Sequence, residues 1–168
     1  MPSDTIYGLS CRALDQDAVK KLHQIKNRDQ RPFIVLISSV TQMHDLGLIA
    51  TDFGPALRYW PGKLSAIGKA DRAPEYLHMG TKTLAVRQPD YPELTKLINT
   101  TGPLISTSAN LSGQEPAHTL AEAREIFGDE LDFYVDAGPI KSAASTIARV
   151  RFAKLEVIRQ GEVKLDEV

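Results

Sequence analysis

“PLISTSANLSG”, residues 103–113, is the stretch from which the fold can be predicted. Its apolar start, Leu104 and Ile105, is typical of a buried strand, and we predict one over residues 104–107. Small hydroxyl and amide side chains follow, and in an extended segment Ser106, Ser108 and Asn110 project to the same side. Two interpretations stay open. These groups orient a polar ligand without supplying charge, or they form an ordinary exit from a strand into a turn.

Helices and strands alternate around this stretch. Apolar spacing and helix-start residues predict helices at residues 15–26, part of 52–59, 93–99 and 119–127. Strands are predicted at residues 33–37, 64–67, 83–87, 132–136, 145–150 and 155–159. Residues 71–80 lack a clean period and are predicted to form a loop. The order predicts one α/β domain over residues 1–168, a mixed parallel and antiparallel sheet with flanking helices.

Composition narrows the class of protein. The 168 residues are 42% hydrophobic and 24% charged, with a formal net charge of −1. Such a chain builds one core and is not a generic basic coat for nucleic acid, so an RNA contact is expected to be local. There is no apolar run that predicts a membrane span and no signal-peptide pattern. The single cysteine, Cys11, suits a reducing compartment, and we expect a cytoplasmic protein.

Three cations lie close together at the end of the first predicted helix. Lys26, Arg28 and Arg31 fall within six residues. They are suited to neutralising a polyphosphate, because Arg makes forked bonds and Lys acts as a point charge. The alternative is that they compensate the helix dipole on a solvated surface.

The strand at residues 83–87 carries a second candidate group. Thr83, Ala85 and Arg87 share one face, while Leu84 and Val86 are expected to face the core. Arg87 is then a carboxylate or phosphate clamp, or an arginine of an edge strand in solvent. Near the start of the chain Tyr7 forms either a pocket wall or part of the core. No Walker, dinucleotide-binding or metal-ligand motif is present.

Seven segments, taken in order, resemble a known family. They are “PSDTIYGL”, “KNRDQRPFIVLI”, “WPGKLS”, “LAVRQPDYP”, “STSANLSG”, “STI” and “IRQG”. The chain is identified from them as a member of the YrdC-like (TsaC) family of threonylcarbamoyl-AMP synthases, in its short form. The likeness runs from Pro2 to about Leu165. Relatives carry a further helix and strand before the first segment, and we expect this chain to lack them.

The resemblance implies a fold and an activity. The fold is a twisted, mixed sheet with a positively lined concavity. The reaction combines L-threonine, bicarbonate and ATP, with Mg²⁺ on the ATP and no prosthetic group, to give threonylcarbamoyl-AMP and pyrophosphate. A threonylcarbamoyl-transferase complex then modifies tRNA, so a local tRNA contact is expected. Two alternatives stay open, a non-catalytic RNA- or nucleotide-binding protein of the same fold and an enzyme with another acceptor.

The family motifs also imply roles for single residues. No side chain acts as a nucleophile, since the site works by positioning and charge stabilisation. The residues implied for ATP are Lys26, Arg28, Arg31, Thr83, Asn110 and Arg159. The residues implied for L-threonine are Thr5, Tyr7, Arg87, Ser108 and Ser145.

Overall fold

The computed structural model of the chain describes residues 1–27, 31–140 and 142–165, and within them seven strands form one sheet. The strands are β1 (Gly8–Arg12), β2 (Ile34–Leu36), β3 (Leu64–Lys69), β4 (Thr83–Arg87), β5 (Leu104–Ser108), β6 (Thr146–Arg151) and β7 (Lys154–Arg159), in the spatial order β1-β5-β2-β4-β3-β6-β7. The β2–β4 and β3–β6 pairs are parallel, and the other pairs are antiparallel. The predicted mixed sheet is therefore confirmed.

Helices flank this sheet where the capping residues predict them. The carboxylate of Asp15 accepts a hydrogen bond from the Ala18 N–H at the start of the first helix, and Thr119 caps the last one in the same way. The α-helices are α1 (Gln16–Lys26), α2 (Glu75–His78), α3 (Pro92–Thr101) and α4 (Leu120–Phe127); 3₁₀ helices span Val40–Leu46, Ala50–Tyr59 and Gly128–Glu130. Within these described ranges, no helix combines the length and apolar character needed to cross a membrane.

The helix predicted within residues 52–59 is present as a 3₁₀ helix, in which Pro55 cannot donate a backbone hydrogen bond. Two other local predictions need correction. Residues 71–80 contain the short helix α2. Residues 132–136 do not form a strand. Phe133 in this segment is 70% exposed, and the Tyr134 hydroxyl donates a hydrogen bond to the Gly128 carbonyl. A strand-like composition without a paired sheet edge does not make a strand. The expectation that this chain lacks the helix and strand that relatives carry before “PSDTIYGL” stays a prediction.

The two faces of the sheet have different surroundings. One face packs into the main core with Leu84 and Val86, as predicted. On the other face, Leu36 and Leu104 pack against α3. The part of this face that α3 leaves uncovered carries Arg87 and forms the floor of a cleft. Because side chains alternate along β4, one side of the strand packs into the core and the other side lines the cleft.

Close packing at Gly68 gives a test of this fold. A Cβ on Gly68 of β3 would lie 2.7 Å from two ring carbons of Phe53, which is fully buried. We expect Gly68→Ala to lower the free energy of unfolding by about 1–3 kcal/mol, because the ring must leave its packed position. Urea unfolding followed by circular dichroism measures the change.

The matched control is Gly54→Ala in the 3₁₀ helix Ala50–Tyr59. No described atom lies within 4 Å of a Cβ there, and the backbone is not left-handed. This change is expected to alter the free energy of unfolding by less than about 1 kcal/mol. Alanine lowers the entropy of the unfolded chain, and the steric preference of a residue before Pro55 for an extended backbone opposes this gain. Equal losses in both variants would contradict the packing account.

Candidate active site

A cleft of about 220 Å³ lies over the uncovered part of the sheet. The N-terminal segment forms one wall, β4 and β5 form the floor, and the start of β6 with the end of β7 forms the other wall. The structure brings together here six of the polar residues singled out in the sequence: Thr5, Arg87, Ser106, Ser108, Ser145 and Arg159. The sequence spacing alone does not place them together, because they come from four separate parts of the chain.

Arg87 is the buried charge of this cleft. Its strand, β4, lies between β2 and β3, and its side chain is 4% exposed. The Nη2 atom lies 3.3 Å from Asp4 Oδ1, and Nη1 donates to Thr5 Oγ1 at 3.3 Å. Burial lowers the pKa of Arg87, the Asp4 charge opposes this shift, and Arg159 adds to it. The alternative of an arginine in solvent is therefore wrong.

Short-range bonds shape the N-terminal wall. Ser3 Oγ donates to the Ile6 carbonyl at 2.9 Å and lies 3.1 Å from Thr5 Oγ1. It also accepts from the Thr5 N–H at 3.3 Å. These bonds fix the Thr5 hydroxyl beside Arg87. The sequence analysis missed Ser3 and Asp4, since Pro2-Ser3-Asp4 has the composition of an ordinary turn.

The opposite wall is held by the end of the described chain. Ser145 Oγ lies 3.0 Å from Ser65 Oγ, and its carbonyl accepts from Arg159 Nη2 at 2.8 Å. Thr146 Oγ1 accepts the N–H groups of Gly161 and Val163. A Cβ on Gly161 would overlap the Ala144 carbonyl oxygen. The glycine of the “IRQG” segment therefore allows the close approach that places Ser145 in the cleft.

A second pocket adjoins the cleft and shares Ser108 with it. Lys26, Arg31, Asn110 and Ser112 line this pocket. Arg31 is exposed at the edge of this pocket. Arg28 lies outside the described residues.

The Lys26 ammonium is 2% exposed and binds the turn that follows β5. Nζ donates to the carbonyls of Ser108 and Asn110 at 2.7 and 2.6 Å, and to Asn110 Oδ1 at 3.0 Å. The interpretation of Lys26 as a solvated dipole partner is therefore wrong. Its charge orders the 108–110 turn, and Lys26 is one of the residues that line the second pocket.

Asn110 completes the same turn. Its Nδ2 donates to the carbonyls of Leu111 and Gln114 at 2.9 and 2.7 Å, and its Oδ1 also accepts from Ser108 Oγ. Ser112 Oγ donates to the Lys26 carbonyl at 3.1 Å. The turn interpretation of the stretch 103–113 is therefore confirmed, and the turn lines a pocket. The interpretation that its polar groups orient a ligand stays a prediction.

The comparisons with known proteins agree with this arrangement. The family model described as “Telomere recombination” (Sua5_yciO_yrdC) matches residues 1–161. This chain belongs to the Sua5/YciO/YrdC family. Threonylcarbamoyl-AMP synthase of Bacillus subtilis (strain 168) is 39% identical over 146 residues, covering 82% of this chain and 42% of that protein. A putative threonylcarbamoyl-AMP synthase of Mycobacterium tuberculosis (strain CDC 1551 / Oshkosh) is 34% identical, covering 100% of this chain and 80% of that protein.

Solved structures of the Sua5/YciO/YrdC family have the same fold. Pyrococcus abyssi Sua5 complexed with L-threonine superposes with a TM-score of 0.84 at 30% identity, over 95% of this chain and 49% of that one. Escherichia coli YciO superposes with a TM-score of 0.81 at 23% identity, over 95% of this chain and 81% of that one, and shows the fold alone. The chain spans about half the length of the Sua5 protein and 42% of the Bacillus relative.

Two site residues implied by the family resemblance lie elsewhere. Tyr7 points away from the cleft: it is 1% exposed, and its hydroxyl donates to the Gly138 carbonyl at 2.8 Å and accepts from the Ala137 N–H at 2.8 Å. Tyr7 is therefore a core residue that anchors residues 136–138, and the contact with threonine expected from the resemblance is not made from this position. Thr83 shares the cleft face of β4 but lines neither described pocket, so its nucleotide contact stays a prediction.

The turn-ordering role of Lys26 gives a prediction for this family member. Lys26→Met removes the ammonium group that donates hydrogen bonds to three oxygens of the turn. We expect this change to lower the free energy of unfolding by about 3 kcal/mol. Binding of ATP should weaken by about tenfold, because the distorted turn lines the pocket. Urea unfolding and calorimetric titration with ATP measure the two effects.

Lys21→Met is the matched control on the same helix. Lys21 is half-exposed, and its ion pair with Asp132 lies in solvent, so both quantities should change by less than about 1 kcal/mol. A loss of ATP affinity in Lys26→Met with unchanged stability would contradict the ordering role and indicate a direct bond to phosphate.

Proposed function

We propose that this chain makes threonylcarbamoyl-AMP and pyrophosphate from L-threonine, bicarbonate and ATP. The observation that carries the proposal is the buried guanidinium of Arg87 in a hydroxyl-lined cleft that adjoins a basic pocket. The family membership and the names of the relatives support it, as does the L-threonine complex of the Sua5 protein.

The cleft takes threonine in this proposal. Arg87 binds the carboxylate through charge-assisted hydrogen bonds. The hydroxyls of Thr5, Ser108 and Ser145 can each donate or accept, which suits the side-chain hydroxyl and the amine of threonine. The walls also carry apolar groups, among them Ile6 and Ile147, against which a methyl group packs.

The second pocket takes the phosphates of ATP. Arg31 supplies a forked donor at the surface, and Arg28 is proposed to join it from outside the described residues. Lys26 and Asn110 contribute by shaping the turn. Arg159 lines the cleft and donates to the Ser145 carbonyl, and it is proposed to contact the nucleotide from there. Thr83 is proposed to contact the nucleotide beyond Ala85.

Positioning and charge stabilisation then suffice for the chemistry. The neutral amine of threonine attacks the bicarbonate carbon, and loss of water leaves a carbamate. A carbamate oxygen attacks the α-phosphorus of ATP, the bond to the β-phosphate oxygen breaks, and pyrophosphate leaves. Cationic donors offset the negative charge that this transfer concentrates, and no side chain needs to form a covalent bond.

Mg²⁺ enters this proposal as part of the ATP substrate. The described residues contain no cluster of three His, Cys, Asp or Glu side chains that could hold an ion. The pocket around the 108–110 turn offers cations and neutral oxygens, which fit an ion held mainly by phosphate and water. The ion would neutralise part of the triphosphate charge. The product would pass to a threonylcarbamoyl-transferase complex, with any tRNA contact local.

Release of pyrophosphate tests the proposal. With ATP and Mg²⁺ present, we expect release to depend on both L-threonine and bicarbonate, because the carbamate must form before the α-phosphorus is attacked. A coupled assay with L-threonine, L-serine, L-valine or no amino acid measures the dependence. Equal release with serine would favour another acceptor. ATP binding without release would favour a non-catalytic nucleotide-binding protein.

A further inference from the structure

A buried carboxylate pairs with the proposed threonine clamp. The side chains of Asp4 and Arg87 are 3% and 4% exposed, and Asp4 Oδ1 lies 3.3 Å from Arg87 Nη2. The neighbours of Asp4, Ser3 and Thr5, line the cleft, whereas Asp4 is not among the lining residues. The carboxylate therefore reaches the guanidinium from within the wall and leaves the cleft open beside it.

The pair is held by charge and leaves donors unused. Three polar atoms of the pair have no hydrogen-bond partner among the described residues: both carboxylate oxygens of Asp4 and the Nε of Arg87. A guanidinium has five N–H donors, and here one goes to Thr5 Oγ1. Arg87 thus keeps donors for an incoming carboxylate, while Asp4 restrains it.

The nearby charges explain why such a restraint is needed. Arg159 lines the same cleft, and its charge repels Arg87, while burial disfavours the charge of Arg87 itself. Asp4 is the carboxylate that offsets both effects. Without it the guanidinium would turn away from Arg159 and toward solvent, and its donors would no longer converge on the cleft.

We propose that Asp4 is a positioning residue, which holds the Arg87 guanidinium in the orientation that binds the carboxylate of the amino-acid substrate. The inference rests on the proposed function for the identity of that substrate. Asp4 itself touches no substrate atom. Its effect should therefore appear only with ligands that carry a carboxylate.

The test compares L-threonine with L-threoninol, in which a CH₂OH group replaces the carboxylate. Wild type, Asp4→Asn and Asp4→Glu are titrated with each ligand by calorimetry, and KM values for threonine and ATP are measured from pyrophosphate release. Asp4→Asn keeps the shape of the side chain and removes its charge. Asp4→Glu keeps the charge and moves it by one methylene. Asp45→Asn, at an exposed site in the 3₁₀ helix Val40–Leu46, is the control for loss of one negative charge.

We expect Asp4→Asn to weaken L-threonine binding by about tenfold or more, the value of a charge-assisted bond, and to leave L-threoninol binding within about twofold. The KM for ATP should also stay within about twofold, and Asp4→Glu should recover part of the preference for threonine. Asp45→Asn should match wild type.

Three results would overturn the inference. Unchanged affinities for both threonine and threoninol in Asp4→Asn would show that the carboxylate site does not need Asp4. Equal losses for both ligands would show a general structural role, and tighter threonine binding would show competition in place of positioning. If Asp4→Asn does not fold, Asp4→Ser, which also removes the charge, is titrated in its place, and an unchanged threonine affinity there is the overturning result. A wild type that prefers threonine over threoninol but releases no pyrophosphate would overturn the proposed function alone.

Discussion

The whole site depends on the burial of one positive charge on the face of a central strand. Arg87 cannot reach solvent along the sheet, because β2 and β3 pair with its strand on both sides. Loss of water around a charge is costly unless other groups replace it. Asp4 and Thr5 replace part of it, and this requires that the N-terminal segment fold across the sheet face. The constraint therefore links the strand order, the wall of the cleft and the unused donors in one arrangement.

A second buried cation has a different task. The Lys26 ammonium donates hydrogen bonds to oxygens of the turn after β5, and these bonds connect the end of α1 to that turn. Ser108 belongs to both pockets, so the order that Lys26 imposes reaches the cleft as well. The two buried cations thus divide the work. One shapes the backbone around the pocket proposed for phosphates, and the other keeps donors available for a small anion.

Local sequence patterns predict most of the helices and strands. They do not predict which groups surround each side chain, because that depends on how the elements pack together. The alternation in “TLAVR” predicts β4 with its limits, because core contacts repeat every second residue. Whether Arg87 is buried depends on which strands lie beside β4, and the sequence carries no local signal for that. For the same reason, the sequence left two interpretations of Tyr7, a pocket wall or a core residue. The strand predicted at residues 132–136 is wrong because a strand-like composition does not guarantee a partner strand. Asp4 was missed because its role depends on an arginine 83 positions away.

The most direct measurement is calorimetric titration of L-threonine and, separately, of ATP into wild type and Arg87→Met. The same titrations are run on the double variant Asp4→Asn/Arg87→Met, in which no buried carboxylate is left alone, and unfolding midpoints show that each variant is folded. The account predicts that both variants lose about tenfold or more in threonine affinity and keep ATP affinity within about twofold. Unchanged threonine affinity in a folded variant, or equal losses for the two ligands, would contradict it.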